Sequence, residues 1–107
     1  MTTFDKREEG FERKFALDEE MRFRAMARRN KLLGAWAAGK LGLSGAEADA
    51  YAKAVVASDF EEAGDHDVFR KIRKDFDAKS VAISDHQIRR TMDELLGQAI
   101  QQLQTEV

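Results

Sequence analysis

The chain has 107 residues, of which 36% are charged and 43% apolar, and its acids and bases nearly cancel at a net charge of −2. This length predicts one domain with a modest core. The balance of charge excludes a strongly basic nucleic-acid binder, and the lack of cysteine excludes disulfides and cysteine-based zinc sites. With no signal-peptide core and no apolar run near the ~20 residues that span a bilayer, we expect a cytoplasmic protein without direct membrane insertion.

The composition predicts an all-α fold. Proline is absent, no segment alternates between apolar and polar residues, and the common residues are helix formers. The first helical stretch runs to Lys40, where the residues LGLSG end it. Short connections favour antiparallel neighbours, so we expect a four-helix bundle over residues 21–107, preceded by an N-terminal helical arm over residues 1–20 that is mobile when free.

Start and stop signals divide the remainder into three helices. Ser44 with Glu47, and Ser84 with Gln87, have the spacing of capping boxes. The apolar residues of these three helices recur at helical spacing. The predicted inward positions are Ala48, Tyr51, Ala52, Val55, Phe60, Val68, Phe69, Ile72, Phe76, Ile88, Met92, Leu95, Leu96, Ala99, Ile100 and Leu103.

A break separates the second helix from the third. Gly64 suits the position just after a helix, where a left-handed backbone is common. Asp65 suits the N-cap of the next helix.

The opening segment FDKREEGFERKF raises the main question, because it is highly charged and its only large apolar residues are phenylalanines. On a helical wheel of about 100° per residue, six residues fall within about 40° of one line. They are Phe4, Phe11, Phe15, Met26, Leu33 and Trp36. Asp18 and Arg22 interrupt this apolar stripe and separate the phenylalanines from the bundle. Asn30 falls at its edge, where a buried hydrogen-bonding role is expected.

Gly10 destabilises any isolated helix in this segment by about 1 kcal/mol relative to alanine. An ion pair between Glu9 and Arg13 would stabilise the same helix by only about 0.3–0.5 kcal/mol. The segment could therefore order only against another protein. From the pattern alone, it could equally pack on the bundle as an extension of the first helix.

Two basic runs are candidate binding surfaces for phosphate, a nucleotide, nucleic acid or an acidic protein. A solvated helix face is the favoured interpretation of each run. The first run adjoins the arm, where it could steer docking onto an acidic partner. It comprises Arg22, Arg24, Arg28, Arg29 and Lys31, and the second comprises Arg70, Lys71, Arg73 and Lys74.

No catalytic or metal site emerges from the residues. His66 and His86 adjoin acids at predicted helix starts, where capping explains the acids better than metal binding does. GKLGLSG lacks the spacing of a phosphate-binding loop. We therefore expect no enzyme activity, no metal and no cofactor.

Long segments of the chain resemble the zeta subunit of alphaproteobacterial F-type ATP synthases. They are FDKREEGFERKFALDEEMRF, ARRNKLLGAWAA, LGLSG, AYAKAVVASDFEEAGDHDVFRK and ISDHQIRRTMDELL, which together cover nearly the whole sequence. The resemblance implies a four-helix inhibitor of ATP hydrolysis that has no catalytic activity of its own. It also implies that the N-terminal segment becomes helical in the cleft between the alpha and beta subunits, against gamma. The protein would then lie at the inner membrane through the synthase.

The resemblance places the inhibitory residues in the opening segment. The matching positions are Phe4, Asp5, Arg7, Glu8, Phe11, Glu12, Lys14 and Phe15. Gly10 stands where the family usually has a better helix former, and Leu17 stands where a histidine is expected. The alternative that remains is a charged helical adaptor, or a module that binds nucleotide weakly or binds nucleic acid through the two basic runs. Nucleic acid is not the expected partner.

Overall fold

The computed structural model describes residues 19–59 and 66–106, which form four α-helices. They are α1 (Glu19–Lys40), α2 (Gly45–Ser58), α3 (His66–Ala78) and α4 (Asp85–Glu106). No strand occurs in these ranges, so the prediction of an all-α four-helix bundle is confirmed. Residues 1–18 of the predicted arm, and also Phe60, Gly64 and Asp65, lie outside the described residues, while Glu19 and Glu20 form the start of α1.

The end of α1 follows from its glycine-rich sequence. Gly42 has a φ of +79°, a left-handed backbone that costs glycine little. Its N–H donates to the carbonyl of Gly39 at 3.2 Å, and the N–H of Leu43 donates to that of Ala38 at 2.9 Å. These two bonds supply hydrogen-bond donors to two carbonyls that would otherwise have none at the end of the helix. The chain thereby reverses within four residues, and α2 runs back along α1.

Of the two predicted capping boxes, only the second forms. The N–H of Gln87 donates to the Ser84 hydroxyl at 3.1 Å, and the N–H of Ser84 donates to the Gln87 side chain at 3.2 Å. The Ser44 side chain makes no capping bond. The next residue, Gly45, has a φ of +57°, so the backbone between Ser44 and Glu47 departs from the helical geometry that a capping box requires.

Two helices approach closely where α1 crosses α2. A Cβ added to Gly34 would lie 2.6 Å from the Cα of Ala52 and 3.1 Å from its Cβ. The first contact is shorter than carbon atoms tolerate and involves backbone that no side-chain rotation can move, and the second is tighter than most contacts of a Cβ atom. Gly34 is therefore required by the distance between the two helix axes.

The core lies between α1, α3 and α4, with Val55 contributed by α2. Leu33, Ile72, Phe76 and Ile88 have no solvent exposure, and each such side chain contributes about 1.5–3 kcal/mol when fully buried. Every predicted inward position that the structure describes is buried or half-buried. Met26 and Trp36 are only half-buried, and the Trp36 ring meets Phe76 edge-on, with centroids 5.7 Å apart.

We predict that Gly34→Ala destabilises the bundle by about 1–3 kcal/mol, the usual cost of overpacking. The matched control is Gly97→Ala on α4, where an added Cβ meets nothing within 4 Å. That change should stabilise by about 0.5–1 kcal/mol, because glycine is a poor helix former. Urea denaturation followed by circular dichroism measures both. Equal effects of the two substitutions would contradict the close crossing.

Candidate partner-binding surfaces

The first basic run does not form one surface. Arg29 is 1% exposed and lies inside the bundle, where its Nε donates to Oδ1 of Asn30 at 2.8 Å. Arg24 is exposed and pairs with Glu20 at 2.8 Å, and it lines one groove together with Arg28 and Lys31. Arg22 lies apart from them, beside Phe23. The expected buried, hydrogen-bonded role of Asn30 is confirmed. The burial of Arg29 removes it from any docking surface.

Arg28 is used within the bundle. Its guanidinium binds the carboxylate of Glu106 through two nitrogens, at 2.5 and 3.1 Å, and so ties the last turn of α4 to α1. The hydrogen bond from Arg28 lowers the pKa of Glu106 below its ordinary value. A lowered pKa stabilises the folded state at neutral pH, and this contribution is lost as the pH falls through the pKa of the folded protein.

The second basic run is also largely paired. Arg73 binds Asp77 at 2.7 Å and Asp85 at 3.0 Å, and it donates to the carbonyl of Ile83 at 2.6 Å. It therefore fixes the loop between α3 and α4. Arg70 and Lys74 lie on the exposed side of α3. Since the phosphate affinity of a surface depends on uncompensated positive charge, the pairing of Arg28 and Arg73 weakens both runs as phosphate sites.

A polar cluster joins α2 to α3 around the only tyrosine. The Tyr51 hydroxyl donates to the Asp75 carboxylate at 2.7 Å, and Lys71 binds the same oxygen at 3.1 Å. The Lys71 ammonium also lies 5.1 Å from the centre of the Tyr51 ring. Burial raises the pKa of Tyr51 well above its ordinary value, and the bond to Asp75 raises it further. These groups have structural partners, so the cluster contributes to stability.

The histidines do not assemble a metal site in the part of the chain that the structure describes. No group of three or more metal-binding side chains of the kinds His, Cys, Asp or Glu occurs there. Nδ1 of His66 lies 3.1 Å from an Arg89 nitrogen. The Arg89 guanidinium in turn lies 4.2 Å from the centre of the Phe69 ring.

Within the same ranges, no helix combines the length and the apolar character needed to cross a membrane.

An apolar groove lies between α1 and α2, and we name it the Phe23 groove. The helical wheel of the first stretch did not predict it. Its volume is about 320 Å³. Phe23 is 63% exposed, and among the described residues it is the only large apolar side chain that is mostly exposed. The groove is lined by Glu19, Arg22, Phe23, Met26, Ala27, Asn30, Val56 and Asp59. Phe23 lies about 100° from the line of the phenylalanines, so a search limited to that stripe misses it.

Two of the comparisons with known proteins found matches. The model of the family "ATPase inhibitor subunit zeta" matches residues 1–102. A solved structure, described as a solution NMR structure of the protein, shares 48% identity and a TM-score of 0.72 with this chain. The match covers 81% of this chain and 99% of that one. A search of curated proteins gave no match.

We predict that Tyr51 ionises only well above about pH 10, the ordinary value for tyrosine. Because the unfolded chain would ionise near that value, the stability that this group confers is present below about pH 10 and is lost as the pH rises further. Ultraviolet absorbance of tyrosinate measures this without interference, since the chain has one tyrosine. Asp75→Asn should lower the midpoint while leaving it above that of a tyrosine peptide. A normal midpoint in the folded wild type would contradict the assignment.

Proposed function

The chain belongs to the ATPase inhibitor subunit zeta family, and we propose that it blocks ATP hydrolysis by inserting its N-terminal segment at a catalytic interface of the F-type ATP synthase. Family membership associates the chain with the ATP synthase as an inhibitor subunit. The interface between an alpha and a beta subunit, next to gamma, is the proposed site of insertion.

The observation that carries the proposal is the extent of the family match. It spans residues 1–102 and so includes the opening segment together with the four helices. The proposed contact residues come from the resemblance of that segment to the inhibitory element of the family. They are Phe4, Asp5, Arg7, Glu8, Phe11, Glu12, Lys14 and Phe15.

Inhibition requires that the segment bind one conformation of the cleft more tightly than the others. Phe4, Phe11 and Phe15 would supply the apolar anchors, each contributing up to about 1.5–3 kcal/mol on full burial. Arg7 and Glu12 are among the charged residues that would fix the register by pairing. Ordering the segment offsets part of this gain.

The bundle supplies a rigid body next to the segment. The close crossing at Gly34 and the Arg28–Glu106 pair hold α1 between α2 and α4. Once the bundle rests on the synthase, the attached segment stays at high local concentration beside its cleft. The chain thus acts as a regulatory subunit with no catalytic role of its own.

A phosphate-binding adaptor is the less favoured function. Arg29 is buried, and Arg28, Lys71 and Arg73 are paired with acids. These contacts offset part of the positive charge on which nucleotide or nucleic-acid binding would depend. Binding to RNA that weakens steeply with added salt would restore this function as a candidate.

We predict that deletion of residues 1–15 abolishes inhibition of ATP hydrolysis while the bundle stays folded. The truncated chain retains all four described helices and the core between them. An ATPase assay on the purified catalytic head measures inhibition, and thermal unfolding of the chain alone is the control. Full inhibition by the truncated chain would contradict the proposed function.

We predict that Gly10→Ala strengthens inhibition several-fold, because alanine favours the helix by about 1 kcal/mol. Gly97→Ala is the matched control, since it makes the same change in an exposed part of α4. It should raise the stability of the bundle and leave inhibition unchanged. Equal or weaker inhibition by Gly10→Ala would exclude Gly10 as the residue that limits binding.

A further inference from the structure

We propose that one side of the bundle, named here the Val56 face, binds an amphipathic helix of the synthase at the rim of the cleft that receives the arm. This inference rests on the proposed function, because it takes its partner and the place of docking from it. The Val56 face consists of three adjoining hollows, of which the first is the Phe23 groove. The second hollow has a volume of about 500 Å³ and is lined by Lys31, Asp49, Ala52, Lys53 and Val56. The third has a volume of about 430 Å³ and is lined by Arg24, Ala27, Arg28, Lys31, Val56, Leu103 and Glu106.

The three hollows form one continuous surface because they share side chains. Val56 lines all three, Ala27 lines the first and third, and Lys31 lines the second and third. Phe23, Ala27 and Lys31 follow one another at intervals of four residues, so they form a ridge along α1. The ridge covers eight residues, about 12 Å of helix. The groove beside such a ridge accepts the side chains of another helix.

The Phe23 end of this face offers an apolar anchor. Phe23 is 63% exposed, and Met26 and Val56 are half-buried beside it. Covering these side chains is favourable in proportion to the apolar area removed from water. A cavity of about 150 Å³ holds a benzene ring, so a groove of about 320 Å³ has room for a large apolar side chain of the partner.

The charge of the face changes from one end to the other. Two acids and one base line the Phe23 groove, whereas three bases and one acid line the third hollow. Lys31 and Lys53 are exposed, and neither belongs to an ion pair within residues 19–59 and 66–106. A complementary helix therefore carries an acid near Lys31, about two turns from the apolar residue that enters the Phe23 groove.

The end of α4 shows which kind of group the basic end of the face binds. Glu106 places its carboxylate on the guanidinium of Arg28, at 2.5 and 3.1 Å. A carboxylate from a helix thus already occupies one side of the third hollow, and Lys31 on the other side is available for a second one. A partner rich in phosphate fits less well, because Glu19 and Asp59 line the other end of the face.

The position of the face in the chain points to the synthase as its partner. Glu19, the first described residue, lines the Phe23 groove, and Phe23 follows it by one helical turn. A partner that holds the segment immediately before Glu19 therefore lies beside this groove. Since the proposed cleft holds that segment, the docking helix belongs to the rim of the cleft. Arm and face then bind one partner together, so the contact at the face can be weak by itself.

Photo-crosslinking of the full chain to the purified catalytic head tests the contact directly. The photoreactive residue p-benzoylphenylalanine replaces Phe23 in one sample. In the control it replaces Ala82, which is exposed in the loop before α4, at the opposite end of that helix from Glu106. We expect light to join the chain to a subunit of the head from position 23 and not from position 82.

Mass spectrometry of the crosslinked peptide identifies the docking helix. It should carry an acid seven or eight residues from the crosslinked position, which matches the distance from Phe23 to Lys31. Crosslinks from position 23 that reach only a second copy of this chain, or only its own residues, would overturn the inference. A crosslinked peptide of the head without such an acid would also overturn it.

Binding of full-length variants to the catalytic head measures the apolar anchor. Phe23→Ser should raise the dissociation constant about 5- to 30-fold, because it removes most of the apolar surface of the anchor. Phe23→Leu should restore most of the affinity. The thermal transition of the bundle is the control, and it should stay close to the wild type because Phe23 is mostly exposed. Equal affinity of Phe23→Ser and the wild type would contradict the role of the groove.

The basic end of the face has its own variant. Lys31→Glu should slow association with the head at low salt, and the difference from the wild type should shrink as salt is added. Lys79→Glu is the matched control, since it makes the same change of charge at an exposed position in the loop before α4. It should leave the association rate near that of the wild type. Equal rates for both variants would show that Lys31 meets no acid of the head.

The crosslink and the deletion of residues 1–15 let the two proposals fail separately. A crosslink from position 23 to the head, together with inhibition that survives the deletion, would overturn the proposed function and leave the docking face. Loss of inhibition on deletion, without a crosslink from position 23, would overturn this inference alone.

Discussion

The arrangement of the bundle depends on how closely α1 approaches α2 at Gly34. At 2.6 Å between an added Cβ and the Cα of Ala52, no side chain other than hydrogen fits between the two backbones. This distance sets the position of α2, and with it the depth to which Val55 enters the core. It also sets the width of the groove beside Phe23, because Val56 lies on the same helix one residue further along. A single glycine therefore couples the packing of the core to the shape of a surface more than two helical turns away.

Polar contacts complete the positioning that the glycine begins. Arg28 and Glu106 join α1 to the end of α4, Tyr51 and Asp75 join α2 to α3, and Arg73 holds the loop before α4. Surface ion pairs contribute little each, about 0–1 kcal/mol, yet together they orient helices whose apolar faces alone permit sliding. In the residues that the structure describes, these contacts use Arg28 and Arg73, while other basic side chains such as Arg22, Lys31 and Lys74 stay exposed outside them. Two ion pairs, Arg28–Glu106 and Arg73–Asp85, link one helix to another, and the other pairs each lie within a single helix.

Much of the fold could be predicted from the sequence, because helical periodicity and turn residues report on local structure directly. The core of α3 and α4 follows from the spacing of residues such as Ile72, Phe76, Ile88 and Met92. The burial of Arg29 was harder, although the wheel puts it about 20° from Phe4 and so inside the apolar stripe. Its charge suggested a surface position, and only tertiary packing decides otherwise. The failed cap at Ser44 depends on the backbone of the next residue, and the Phe23 groove depends on two helices at once, so neither has a local signal.

The tryptophan and the tyrosine of this chain lie in a different part of the sequence from its first three phenylalanines. Its one tryptophan and one tyrosine both lie in the bundle, Trp36 against Phe76 and Tyr51 against Asp75. The only aromatic residues of the opening segment are phenylalanines, whose ultraviolet signal is weak beside that of tryptophan and tyrosine. The intrinsic fluorescence of the protein therefore reports on the helices and is nearly insensitive to the first eighteen residues. A tryptophan placed at one of the three phenylalanine positions would give that segment an optical signal of its own.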